Sequence, residues 1–199
     1  MTLTSATDKL LPRPACLQRL AGALMLLFAL WGGTGCWSVS AAAASPPASS
    51  EYQVKAAFLY NFMKFVEWPS DGLATPGTIC LGILGRDPFD DALDEFKGKL
   101  AKGRKVVVLH FRSVEEVKGC DILFICPSEK GRLSQILKLA NNSRMLTVAD
   151  QEGFCEAGGM INLLFIKNRV GFEVNVAAAS RAKLRVSSQL LKLARNVFE

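Results

Sequence analysis

The chain has 199 residues, a formal net charge of +6, and half of its residues are hydrophobic. That length fits one ordinary domain behind a leader. Its basic residues form neither a run nor a stripe interleaved with aromatics, which argues against nucleic acid as a partner.

Residues 1–44 read as a cleaved secretory signal peptide. Lys9, Arg13 and Arg19 make a positive start, and "LAGALMLLFALW" (20–31) is an apolar stretch too short for a comfortable membrane span. "SVSAAAAS" offers small residues for cleavage between Ala41 and Ser45. Lipidation at Cys36 in "GGTGC" is the minor alternative, because Gly33 stands where a bulky aliphatic is usual. Without residues 1–44 the net charge is +4. Residues 45–50, in "ASPPASS", read as a flexible lead-in to a domain over 51–199.

"EYQVKAAFLYNFMKFVEWP" (51–69) opens the domain and predicts a helix over 51–67 that Trp68-Pro69 ends. Val54, Phe58, Phe62 and Phe65 form one stripe. Leu59, Met63 and Val66 widen it beyond the ~100° that a core-facing helix needs. Lys55 interrupts the stripe at the first turn.

"GTICLGILG" (77–85) predicts a strand, then a short helix in "RDPFDDALDEFKG" with Asp87 as cap. "RKVVVLHF" (104–111) is a second strand and "SVEEVKG" a short helix or turn. "CDILFIC" (120–126) is a third strand, apolar without alternation and so buried on both faces. "PSEKGRLSQILKLANN" (127–142) is a helix with Leu133, Ile136, Leu137 and Ala140 inward, and "RMLTVAD" (144–150) a fourth strand. "GMINLLFIKNRVGFEVNV" predicts an antiparallel hairpin turning at Lys167-Asn168-Arg169. "AAASRAKLRVSSQLLKLARNVF" predicts one closing helix with Leu184, Leu191 and Ala194 inward. The expected fold is α/β: a single three-layer domain with a mostly parallel sheet, its first four strands ordered 2-1-3-4, and a C-terminal hairpin and closing helix.

Four cysteines follow the leader: Cys80, Cys120, Cys126 and Cys155. An even count in an exported chain reads as disulfides. Zinc would ask for closer spacing and more than the lone His110, so no metal is expected. Cys80 and Cys120 fall toward one edge of neighbouring strands ~4.8 Å apart, within reach of a bond. Cys126 and Cys155 fall at the opposite edge, where a second bond depends on the path of the loop.

Catalytic sets are missing. There is no G-x-S-x-G, and one strand histidine does not make a Ser-His-Asp set. The glycine turn in "GILGRDPF" could hold an anion, but Pro88 removes an amide donor and a sharp turn explains it as well. Gly158 and Gly159 read as backbone freedom, and Glu173 and Asn175 suit a pocket or a wet strand face equally. The residues point to a binding protein that is not an enzyme and uses no cofactor.

"EYQVKAAFLYNFMKFVEWP", "GTICLGILGRDPF" and "GGMINLLFIKNRVGFEVNVAAASRAKLRVSSQLLKLAR" together resemble the YfiR family of periplasmic regulators (DUF4154), over about residues 51–198. The resemblance implies an exported protein that dimerises, binds the periplasmic sensor domain of an inner-membrane diguanylate cyclase and represses cyclic-di-GMP synthesis. It implies an outer-membrane lipoprotein that sequesters the repressor, and disulfides that support it. Cys80 and Cys120 match the family's long-range pair. In some members the second bond is short-range near Cys155. Here "TVADQEGF" precedes that residue without a cysteine, which leaves Cys126 as its partner. Lys183 in "RAKLRVSS" stands where glycine is commoner, with only a local effect expected.

Under this reading the surplus apolar face of the first helix, at Leu59, Phe62, Met63 and Val66, meets a second copy or the partner. The alternative is that the C-terminal helix covers it. A competing reading of the whole chain is a periplasmic small-molecule sensor or solute-binding module, with its crevice near Gly85, Pro127 and Gly153 at the strands' C-terminal edge.

Overall fold

The structure, a computed structural model, describes residues 48–69, 76–140 and 143–199. The expected leader, with Cys36 and the cleavage site, lies outside those residues. Helix α1 (Ala48–Phe65) begins inside the expected lead-in and runs into a two-residue strand, β1 (Val66–Glu67). Then come β2 (Thr78–Leu84), a 3-10 segment (Asp90–Phe96), β3 (Leu100–Ala101), β4 (Arg104–Phe111) and β5 (Ile122–Ile125). A 3-10 turn from Pro127 leads into α2 (Leu133–Ala140), followed by β6 (Leu146–Ala149), β7 (Ile161–Ile166) and β8 (Arg169–Asn175). The chain ends with α3 (Val176–Arg181), β9 (Arg185–Val186), α4 (Ser188–Leu191) and β10 (Asn196–Phe198).

One eight-stranded sheet has the order β10-β8-β7-β6-β5-β2-β4-β3. Its centre, β4-β2-β5-β6, is parallel throughout and has the order expected from the sequence. Alternation along β2 sorts the two faces. Ile79, Leu81 and Ile83 join the core beneath α1, while Cys80 and Leu84 join the core beneath α2. Ile136, Leu137 and Ala140 of α2 are buried as expected. This is the three-layer architecture.

The β7–β8 hairpin is present, with a tighter turn than expected. Ile166 already pairs with Arg169, so only Lys167 and Asn168 turn, at φ 50° and 60°. Positive φ at both positions is the two-residue turn that matches strand twist.

The single closing helix is a correction. After α3 the chain stops at Lys183, which sits at φ 61° while Leu184 N donates to Ala179 O. That is the helix stop usually given to glycine. The chain then extends, so that Val186 pairs with Val66 and Arg185 with Glu67. Ser187 Oγ accepts from Leu190 N to start α4, and β10 closes the sheet parallel to β8. Leu184 is buried, as expected, and Leu191 and Ala194 pack partly buried against the core.

The face of α1 is a second correction. Leu59, Phe62 and Val66 are 0% exposed and Met63 1%, so none of the four expected interface residues is available to a partner. The helix is hemmed in on more sides than its sequence reveals. Phe58 and Phe62 pack on Phe172 of β8, with ring centroids 5.6 and 5.4 Å away. On one flank Tyr60 stacks on Phe96 at 4.9 Å, and Tyr52 meets Phe89 edge-on at 5.3 Å. At its end the β1–β9 ladder holds it. The aromatic surplus is core, covered by the same chain.

Candidate functional site

Two buried polar centres lie at opposite ends of the parallel strands. The first is at the N-terminal end. Cys80 lies early in β2 on the α2 face, Cys120 precedes β5, and their sulfurs are 3.0 Å apart. Gly82 makes room for this pair, because a Cβ there would lie 3.0 Å from both Cys120 Sγ and the Phe111 ring. Beside them Asp121, 2% exposed, accepts from Cys80 N at 2.8 Å on Oδ2. Arg104 Nη2 donates to both of its carboxylate oxygens, at 3.0 and 2.9 Å. Trp68 Nε1 donates to the Asp121 carbonyl at 3.2 Å. Every carboxylate oxygen of this centre therefore has a donor; only Arg104 Nε is buried without a partner. As thiols the pair is unequal. The hydrogen bond with Cys120 lowers the Cys80 pKa, and the same bond, with burial, pushes the Cys120 thiol far up.

The second centre sits where β5 and β6 end beneath the start of α1. Lys55, the charge that broke the helical stripe, is buried. Its Nζ lies 2.6 Å from Asp150 Oδ2 and 2.5 Å from Glu51 Oε1. Tyr52 donates to the same Asp150 Oδ2 at 2.8 Å, and the Lys55 ammonium lies 4.3 Å from the Tyr52 ring centroid. Burial first, then Asp150, pushes the Tyr52 phenol well above its ordinary range. Both donors converge on one oxygen. Asp150 Oδ1 is buried with no partner, although the side chain is only 3% exposed. The next residue repeats the pattern. Gln151 Nε2 donates to the carbonyls of Ile125 and Cys126, its backbone N donates to Asn162 Oδ1, and its Oε1 is left over.

Asp150 and Gln151 line a cavity of about 250 Å³ together with Glu152, Gly153, Glu156, Asn162 and Glu173. Of the expected crevice residues, Gly153 is there; Gly85 and Pro127 share the sheet edge but not this cavity. Gly85, at φ 99°, instead packs under Ser128 and Glu129, and a Cβ on it would fall 2.5 Å from Ser128 Oγ. Carboxylates surround that turn: Glu129 pairs with Arg132, and Asp87 sits 2.6 Å from His110 Nε2. Each of these carboxylates thus has a basic partner beside the turn. Glu173 lines the cavity, whereas Asn175 caps α3 and donates to the Cys155 carbonyl.

Cys126 and Cys155 are both fully buried. Cys126 follows β5 in the core beneath α1, whereas Cys155 Sγ points to the Met160 carbonyl ahead of β7. Burial first pushes both thiols up to about 12, helped at Cys126 by Asp87 and Asp150 and at Cys155 by Glu173 and Glu156. Lys55, Asp150, Gln151, Asp121 and Arg104 were not singled out from sequence as site residues. Their one visible signal was a lysine inside an apolar stripe.

Among the described residues no helix is long and apolar enough to cross a membrane. In comparisons with known proteins, the YfiR/HmsC-like family (DUF4154) matches residues 52–195. A solved structure described as an ABC domain in complex with L-Trp, from Streptococcus pneumonia, is similar at 12% identity and TM-score 0.50. The match covers 72% of this chain and 60% of that one, and it shows a shared fold. A conserved domain protein from Vibrio cholerae O1 biovar El Tor gives 11% identity and TM-score 0.47, covering 73% and 60%. The chain thus spans 60% of the length of each solved structure. It belongs to the YfiR/HmsC-like family, a regulatory, non-catalytic family of periplasmic proteins in cyclic-di-GMP signalling.

Proposed function

We propose that this YfiR/HmsC-like protein is an exported repressor that binds the periplasmic sensor domain of an inner-membrane diguanylate cyclase and lowers cyclic-di-GMP synthesis. The observation that carries the reading is the extent of the family match, from α1 to beyond α4. Residues 1–44 act as the cleaved signal. An outer-membrane lipoprotein relieves the repression by sequestering the protein, which works as a homodimer. Cys80 and Cys120 form the supporting disulfide, a reading that their 3.0 Å approach favours. Reduction loosens the domain and releases the partner. The partner surface lies away from the buried stripe of α1.

The test is cyclic-di-GMP measured with the gene deleted, then restored with and without residues 1–44. A rise on deletion that only the exported form reverses supports a periplasmic brake on a cyclase, and pull-down of the sensor domain then identifies it. An unchanged level, where the protein is made, overturns the reading. A second reading, a small-molecule sensor, is favoured by the cavity of about 250 Å³ that Gln151, Gly153 and Glu173 line at the strands' C-terminal edge.

A further inference from the structure

We propose that the outer edge of β4 is an interface, on which a second copy of this chain adds its own β4 antiparallel about a two-fold axis at Leu109. Main-chain direction carries the argument. Lys105 N donates to Gly77 O and Gly85 N to Phe111 O, so the odd-numbered residues of β4 turn their amides and carbonyls toward β2. The even-numbered ones face outward. Val106 is taken there, because its N donates to Lys99 O and its O accepts from Gly98 N. Arg112 N donates to Glu116 Oε2. Between these two stops, Val108 and His110 have no main-chain partner among the described residues. The edge also lacks the usual protection. "VVVLHF" (106–111) holds neither proline nor lysine, and its pairing with β2 runs without a bulge. Val107 and Leu109, on the face shared with Phe111, are 37% and 40% exposed.

A second copy completes this edge. With Leu109 on the axis, Val108 of each chain faces His110 of the other. Both pairs exchange N–H and C=O, so every free main-chain group of the two copies finds a partner. Val107 faces Phe111, which joins the two apolar strips across the axis. The bend at Arg112 and Ser113 takes the added strand out of the lane that Lys99 and Leu100 fill. Its turn, with the exposed Glu115 and Glu116, then lies beside Lys105, which has no ion pair among the described residues. An axis at Val108 would instead set Arg104 against Arg112 and call on Val106, which is already paired. The inference rests on the homodimer reading above and gives it a surface.

The experiment is sedimentation velocity of the exported protein at about 100 μM, where even a weak interface is populated. The parent should sediment as a dimer. Val108→Pro removes one outward N–H and leaves the ladder to β2 whole, and Leu109→Glu sets like charges across the axis. Both should sediment as monomers that still melt cooperatively. Cross-linking reads the register. Leu109→Cys should form a disulfide-linked dimer under mild oxidation, because a non-hydrogen-bonded antiparallel pair sets its Cα atoms ~4.5 Å apart. Val107→Cys should not, since its counterpart lies ~14 Å away along the strands. A dimer that both folded variants retain overturns this surface and leaves the homodimer reading standing. A monomeric parent overturns both. Cross-linking through position 107 in place of 109 overturns the register.

Discussion

The two ends of the sheet solve one problem differently. At the N-terminal end the buried carboxylate of Asp121 has donors on both oxygens, from Arg104 and from the backbone of Cys80. At the C-terminal end Asp150 draws both of its donors to one oxygen and leaves the other bare. Burial makes each unpaired atom costly, so the bare oxygen of Asp150 leaves its centre the less strongly held of the two.

The sharpest way to break the contrast is to delete one partner at each end. Asp121→Ala strands the buried Arg104 charge and the Cys80 N–H, and should cost about 3–5 kcal/mol in urea unfolding. Next in size is the cysteine pair. If Cys80 and Cys120 bond, the oxidised protein shows two fewer titratable thiols. Reduction then removes up to about 4 kcal/mol, the chain-entropy value for closing so long a loop before strain is subtracted. Equal stability of the oxidised and reduced protein would confine that pair to packing. At the other end Lys55→Met should cost less, about 1–3 kcal/mol, because Tyr52 still donates to Asp150 Oδ2. A loss as large as that of Asp121→Ala would erase the difference between the two ends.

Alkaline pH separates the ends more gently. Cys126 and Cys155 have folded pKa values pushed up to about 12, above that of an unfolded thiol near 8.5. The unfolded chain therefore loses these protons first, and stability should fall as pH rises from about 8.5 toward 12. The raised Tyr52 ionisation acts with the same sign above pH ~10. Denaturation midpoints at pH 8, 10 and 11 check the slope, which Cys126→Ser should flatten. The smallest effect lies at the stop of α3. Lys183→Gly should stabilise by about 0.5–1 kcal/mol, since glycine accepts φ 61° without strain.

Much of the sheet was legible because β2, β4, β5 and β6 are bounded apolar runs separated by turn residues. The C-terminus was not. "AAASRAKLRVSSQLLKLARNVF" has helix-favouring composition throughout, and nothing local announces that Val186 pairs with Val66. The surplus on α1 was visible, but its purpose was misread, because periodicity counts apolar residues without showing how many elements will cover them. The open centre was the least legible part. Lys55 and Asp150 stand 95 positions apart, and an aspartate after a strand reads as an ordinary turn residue.

The β1–β9 clasp sets an order of events for a growing or translocating chain. Among the described elements α1 is the first to emerge, yet its covering includes Val186, which pairs with Val66 from far along the chain. The helix therefore waits, with its aromatic side partly wet, until β9 has been delivered. Contacts of such long separation slow folding. A C-terminal truncation that removes β9 would thus unseat the beginning of the domain as well as its end.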